Sequence, residues 1–309
     1  MIFLKKFLKK KIIRKRKRSF DYISNLNTDL LLDSIKIDKK IVAHVKFLEN
    51  QANEEVTPKL KSKILNSEDF KKKLDRFLEN YRFTYLYDEI IMANKIIKSK
   101  LPFKTYRKYN YFEAYLNSIK AEIEAGELSK GDKVIFIGSG PLPSTLILLY
   151  DKYGIESIGI EIIPKVAELS RKVIKSLQLS DKIKIVTGDH FSIKTTKNIK
   201  HIIIALAAEP KDEILQWLKP LLSDGTSISY RFSKYPNLKE NLASLVQNPK
   251  RKFKEYDEYK TTKIINPAPP TSNIIAVVKP KNKDKNTGNL NLKEIDGMVI
   301  VESKQCICW

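Results

Sequence analysis

Val134-Ile-Phe-Ile-Gly138-Ser-Gly140-Pro141-Leu-Pro143-Ser-Thr145 decides the fold of this 309-residue chain. A short apolar run meets a glycine turn, and the residues after the turn read as a helix start. A buried strand that turns into a helix presents backbone amides to a small anionic or polar ligand. The two prolines stiffen a loop that a generic nucleotide site would leave flexible. Working outward, short apolar runs alternate with helical patterns. Strands are expected at 133–137, 156–160, 183–186, 201–206 and 226–230, and helices at 143–152, 165–178 and 211–218. That alternation predicts an α/β, doubly wound parallel sheet. Residues 251–258 and 272–279 follow as two further strands around Asn266-Pro-Ala-Pro-Pro270, with no helix between them, and so predict an antiparallel edge.

The region before the sheet has a different pattern. Apolar residues recur at helical spacing in Ile41, Val45, Leu48 and in Phe70, Leu74, Phe77, Leu78. Helices are expected over 86–99 and 111–126, the second stopped by Gly126. The division expected is a basic segment at 1–19, a helical acceptor or lid domain at 20–128, the Rossmann-like ligand domain at 129–280 and a polar tail at 281–309.

The net charge is +22, and ten of the first eighteen residues are Lys or Arg. Ile2, Phe3, Leu4, Phe7, Leu8, Ile12 and Ile13 alternate with these cations, a pattern suited to an anionic membrane surface. A solvated terminus is the plain alternative, and nucleic acid is the weakest partner. The segment lacks the cleavage site of a secretory signal, and no apolar run has the length of a membrane span. Cys306 and Cys308 are the only cysteines and cannot staple a core, so a reducing, cytoplasmic setting is expected, with peripheral membrane contact through residues 1–18. With no third ligand near the cysteines and His190 standing alone, no metal site is read.

Ligands of open α/β sheets bind at the carboxyl ends of the strands. Those ends carry Gly138-Ser139-Gly140-Pro141, then Glu161, then Asp189, then Ala207-Ala-Glu209-Pro210. An acid ending the second strand suits a ribose diol, and a second acid after the third suits an adenine amino group. An adenosyl ligand follows. A dinucleotide fingerprint would need glycine at position 143, which is proline, and the Lys-Ser/Thr of an ATP phosphate loop is absent. S-adenosylmethionine fits a stiff loop, and Gly138, Ser139, Gly140, Pro141, Glu161, Asp189 and Ala207 are the residues expected to hold it.

The loop Gly138-Ser-Gly-Pro-Leu-Pro-Ser-Thr145 resembles that of nicotianamine synthases and their archaeal and bacterial relatives. Tyr109-Asn-Tyr-Phe-Glu-Ala-Tyr115 followed by Glu122 is similar to that family's tyrosine segment, although it lacks the family's proline and has Ala114 where asparagine is common. Ala205-Leu-Ala-Ala-Glu209-Pro210 and Ser229-Tyr230-Arg231 are similar too. The resemblance covers roughly residues 80–280. It implies a class I methyltransferase-like domain preceded by an all-helical one. It also implies transfer of the 3-amino-3-carboxypropyl arm of S-adenosylmethionine to an amine, with release of methylthioadenosine and formation of a metal-chelating product. Glu89 and Tyr115 fall on the family's catalytic positions, and Tyr111 lies in its substrate segment. Arg231, after the fifth strand, suits an acceptor carboxylate, with a structural ion pair as the plain alternative. The acceptor expected is a small amino acid; glutamate, histidine and an earlier transfer product all remain open. The alternative is an S-adenosylmethionine-dependent methyltransferase acting on RNA through the basic N-terminus, distinguished by releasing S-adenosylhomocysteine.

Overall fold

A computed structural model of the chain describes residues 86–233, 253–271 and 273–281. The expectations for the basic segment, for most of the helical region and for the tail lie outside these residues. The chain divides into two compact units, residues 1–91 with 235–250, and 92–234 with 251–309.

The second unit is built on a seven-stranded sheet. The described helices and strands of the chain run in this order. Residues 86–97 are helical (α1), followed by α2 (Pro102–Tyr106) and α3 (Phe112–Gly126). Then come β1 (Lys133–Ile137), α4 (Ser144–Tyr153), β2 (Glu156–Glu161), α5 (Pro164–Ser176) and β3 (Ile183–Thr187). They are followed by β4 (His201–Ile204), α6 (Lys211–Leu218), β5 (Ser227–Ser233), β6 (Tyr259–Ile265) and β7 (Asn273–Pro280). The strand order is β3-β2-β1-β4-β5-β7-β6. β1 through β5 pair in parallel, and β7 enters antiparallel between β5 and β6. The Rossmann-like α/β sheet with an antiparallel edge is therefore as expected.

Local sequence explains the layers. β1 and β4 are apolar on both faces because both faces are covered. α5 begins with Pro164, whose fixed φ suits the first helical turn. It buries Val166, Ala167, Leu169, Ser170, Val173 and Ile174 at three- and four-residue spacing. α4 ends on Gly154 in the left-handed region, φ 67°. One face of the sheet packs Ile135, Ile137, Ile202, Ile204, Ile228 and Tyr230 against Ile214, Leu215 and Leu218 of α6. The other face packs Ile275 and Val277 against Ala121 and Ala125 of α3.

Three expectations shift. The strand expected at 251–258 is instead β6, beginning at Tyr259. Phe253 and Tyr256 dock on the apolar face without strand pairing, and the ladder with β7 starts where Tyr259 faces Pro280. The strand expected to reach 206 stops at Ile204, because a turn closes from the Ala208 N–H to the Ala205 carbonyl at 3.2 Å. Gly126 is the last residue of α3, but Glu127 takes the left-handed cap, φ 49°. The glycine is needed for proximity: a Cβ there would lie 2.8 Å from Cγ of His201.

Candidate functional site

The carboxyl ends of β1 to β5 form the edge where the sequence places its site. Gly138 and Gly140 have φ of 85° and 71°, which L side chains rarely adopt, so both glycines are set by the turn. The N–H groups of Gly138 and Ser139 donate to the Ile160 carbonyl at 2.8 and 3.1 Å, clamping the turn onto β2. Pro141, Leu142 and Pro143 are buried, and Pro143 is the N-cap of α4. The prolines therefore fix the loop from inside.

Glu161 ends β2 and is 6% exposed. Its Oε2 accepts from the Gly140 N–H at 2.9 Å and its Oε1 from the Ile163 N–H at 3.1 Å. Burial pushes this carboxyl above its usual value, only partly opposed by the amides of Ile163, Gly140 and Ile162. A carboxylate has about four lone-pair positions, so both oxygens retain capacity for a diol. Asp189 caps the short turn after β3, accepting from the Phe191 N–H at 3.0 Å, and is half-buried. Burial holds the neighbouring His190 below its usual pKa, against the charges of Asp189 and Glu213. Ala207 stands exposed at the tip of the turn after β4.

Sequence reading passed over two side chains here. Ile162 and Phe191 are 50% and 41% exposed, large and apolar, and follow the two acids at adjacent strand ends. The available signal was a large apolar residue within two positions of each acid, where a solvated loop favours polar ones.

The other end of the site is electrostatic. Glu122 of α3 is fully buried and accepts from Arg231 Nε and from Ser229 Oγ, each at 2.8 Å. His201 adds to the cluster, its Nε2 2.9 Å from Ser229 Oγ and its Nδ1 2.6 Å from Ser227 Oγ. Burial disfavours the Glu122 charge, but the Arg231 cation, with His201, outweighs it and holds the carboxyl below its usual value. The Arg231 guanidinium also lies over the Phe136 ring, 5.1 Å from its centroid. Thus two stretches noted in the sequence, the tyrosine segment with Glu122 and Ser229-Tyr-Arg231, meet in one ion pair.

Tyr115 is half-buried on α3, its ring stacked 6.2 Å from that of Tyr109. Tyr111, the N-cap residue of α3, meets Tyr109 edge-on at 5.4 Å. α3 is also tied to the proline-rich turn before β7: Asn117 donates to the Pro269 carbonyl at 2.8 Å and Thr271 to the Ala114 carbonyl at 2.9 Å. Glu89 lies half-buried on α1, within the first compact unit.

Buried polar atoms are nearly always hydrogen-bonded, so those without a protein partner have capacity left for a water, ion or ligand. Among the described residues they include the hydroxyls of Ser139, Ser144 and Thr145, all in the stiff loop and its helix, and Nη2 of Arg231. The donors and acceptors of this edge suit a molecule with hydroxyls, a purine and a carboxylate. No helix among the described residues is long and apolar enough to cross a membrane.

The chain matches the family model described as nicotianamine synthase protein over residues 10–285. It is 27% identical over 123 residues to an L-histidine 2-aminobutanoyltransferase of Yersinia pestis, spanning 40% of this chain and 46% of the relative. It is 19% identical over 121 residues to the enzyme of the same name from Pseudomonas aeruginosa, spanning 39% and 46%. The chain therefore spans about half the length of the curated relatives it matches. The solved structure of MtNAS in complex with MTA and tNA is 25% identical, with a TM-score of 0.67, covering 88% of this chain and 98% of that one. A structure of a variant of the same protein with S-adenosylmethionine superposes with a TM-score of 0.63 at 23% identity, covering 86% and 97%, and supports the fold.

Proposed function

The chain belongs to the nicotianamine synthase family, and from that premise we propose that it transfers the 3-amino-3-carboxypropyl group of S-adenosylmethionine to the amine of an amino-acid acceptor. The observation that carries this reading is the order of the strand ends: a proline-stiffened glycine turn after β1, Glu161 ending β2 and Asp189 after β3. In this reading Gly138, Ser139, Gly140, Pro141, Glu161, Asp189 and Ala207 hold the donor. Glu161 accepts from the ribose hydroxyls, Asp189 from the adenine amino group, and Ile162 and Phe191 cover the purine faces.

A sulfonium has three electrophilic carbons, and the carbon aligned with the nucleophile is the one that reacts. The acceptor nitrogen forms a bond to the terminal carbon of the propyl arm. The bond from that carbon to sulfur breaks, and its electron pair stays on sulfur, leaving neutral methylthioadenosine. The ammonium so formed loses a proton, and the amine must be unprotonated before attack. Glu89 is the base in this reading, with the Tyr115 hydroxyl holding the nitrogen. Tyr111 lies against the acceptor, and the unpartnered Nη2 of Arg231 supplies a donor for its carboxylate.

The relatives named for histidine support an amino-acid acceptor, and membership of the nicotianamine synthase family supports a nicotianamine-like product. Incubation with S-adenosylmethionine and a panel of amino acids, read by mass spectrometry, tests the class. Methylthioadenosine with an acceptor heavier by one aminocarboxypropyl unit is expected; S-adenosylhomocysteine would show methyl transfer instead. Glu89→Gln is expected to lower turnover by about 10²–10⁴-fold, the usual contribution of a general base, while calorimetric binding of S-adenosylmethionine stays near wild type. Unchanged turnover removes Glu89 from the mechanism.

A further inference from the structure

Lys211 is the first residue of α6, yet it is only 4% exposed. Both facts are unfavourable on their own. A cation at a helix N-terminus opposes the macrodipole, and a buried ammonium is costly unless fully partnered. The side chain turns back into the turn that precedes its helix. Its Nζ donates to the Leu206 carbonyl at 3.1 Å, to the Ala208 carbonyl at 3.2 Å and to Glu209 Oε1 at 2.7 Å. The other oxygen of Glu209 accepts from the Lys211 N–H at 3.2 Å. Lysine and glutamate thus grip the segment from 206 to 211 at both ends.

The grip fixes peptide orientation. The 206–207 and 208–209 peptide bonds are trans, so each carbonyl and the N–H of its own peptide point in opposite directions. With both carbonyls held on Lys211, the N–H groups of Ala207 and Glu209 face away from it, on either side of the exposed Ala207. The same turn presses on the glycine loop: a Cβ added to Gly138 would lie 3.1 Å from Cβ of Ala205 and 3.4 Å from Cβ of Ala208.

Strand order decides what the turn meets. Glu161 ends β2 and Asp189 follows β3, to one side of the β1 turn, whereas this turn follows β4 on the other. A donor whose adenosine lies over β2 and β3 extends its amino-acid arm toward β4. We propose that Lys211 is a positioning residue. It holds the turn after β4 in the shape that receives the amino-acid arm of S-adenosylmethionine, with the Ala207 and Glu209 N–H groups offered to the arm's carboxylate. The inference rests on S-adenosylmethionine being the donor.

Calorimetric titration of the wild-type chain, Lys211→Met and Lys211→Arg with S-adenosylmethionine and with methylthioadenosine, which lacks the arm, tests it. Lys211→Met is expected to lose at least about tenfold in affinity for S-adenosylmethionine, roughly the worth of one charge-assisted contact, and to keep its affinity for methylthioadenosine. Lys211→Arg recovers part of the loss. Should Lys211→Met not fold, Glu209→Ala, which removes one of the acceptors named above, gives a smaller loss of the same selectivity. Equal losses for the two ligands, no loss for S-adenosylmethionine, or no recovery with arginine each overturn the proposal. Wild-type protein that binds neither ligand overturns the donor reading together with it, a result distinguishable from a Lys211 variant that binds normally.

Discussion

Glu161 and Glu122 are both buried carboxylates of one unit, and burial acts on them with opposite outcomes. Among the described residues Glu161 is met by backbone amides, those of Gly140, Ile163 and Ile162, and burial raises its pKa. Glu122 has the Arg231 guanidinium, the Ser229 hydroxyl and His201, and its pKa is lowered. The first carboxylate is held in place by a loop but not neutralised. The second is committed to a counter-charge inside the fold. A group left under-compensated at a strand end costs stability and is available to a ligand; a fully paired one fixes the architecture around it. The proposed donor end is thus poised for binding, while the Glu122 end is built for rigidity.

The largest expected effect comes from breaking the committed pair. Glu122→Gln leaves Arg231 as a buried cation without its counter-charge and should cost about 3–5 kcal/mol in urea unfolding. Replacing both residues, as Glu122→Gln with Arg231→Met, should recover a substantial part of that. A single-variant cost near zero would erase the distinction between the two carboxylates.

Glu161→Gln is expected to weaken S-adenosylmethionine binding by about 10–100-fold, the worth of hydrogen bonds to a charged group, with folding stability unchanged or higher at neutral pH. A stability loss comparable to that of Glu122→Gln would place Glu161 in the same structural class.

Titration sharpens the contrast, because the signs are opposite. Glu122, lowered when folded, contributes stability above its usual value of 4.5, and that contribution is lost as pH falls below 4.5 through the folded value. Glu161, raised when folded, favours the folded state below 4.5, and that contribution is lost as pH rises from 4.5 through its higher folded value. Urea midpoints measured across this range should lose the acidic slope in Glu122→Gln and the slope above 4.5 in Glu161→Gln.

Of similar size, Ser229→Ala removes one hydrogen bond to a buried carboxylate and should cost about 1.5–3 kcal/mol before any relaxation by His201. At the bottom of the scale, Lys172→Ala breaks the exposed pair with Glu168 on α5 and should leave the urea midpoint unmoved.

The parts of the site that were readable in advance are local ones. The glycine turn and Glu161 lie 21 residues apart and are joined by a single strand-helix-strand unit, whose periodicity writes each element. Strand-end positions then follow from counting. Residues joined across the fold were not readable in the same way. Arg231 and Glu122 are 109 residues apart, and although a structural ion pair was one of the two readings of Arg231, nothing local named Glu122 as its partner. Nothing in the sequence singled out Lys211, because its burial is decided by the turn into which its side chain folds back. The edge strand was misplaced for a related reason. Phe253, Tyr256 and Tyr259 offer apolar contacts across a polar stretch, and only pairing with β7 selects the last of them as the strand's beginning.

By itself the sequence determined the parallel α/β sheet, the stiff turn at Gly138 to Thr145 and the two acids beyond it, since periodicity, proline and glycine act within a few residues of where they stand. Tertiary structure alone decided that Glu122 carries a counter-charge and that Glu161 is held by backbone amides. It also turned Lys211 inward and brought α3 and β5 together at Glu122 and Arg231. The physical reason is that burial and Coulombic pairing depend on distance in space, and a linear chain does not state that distance.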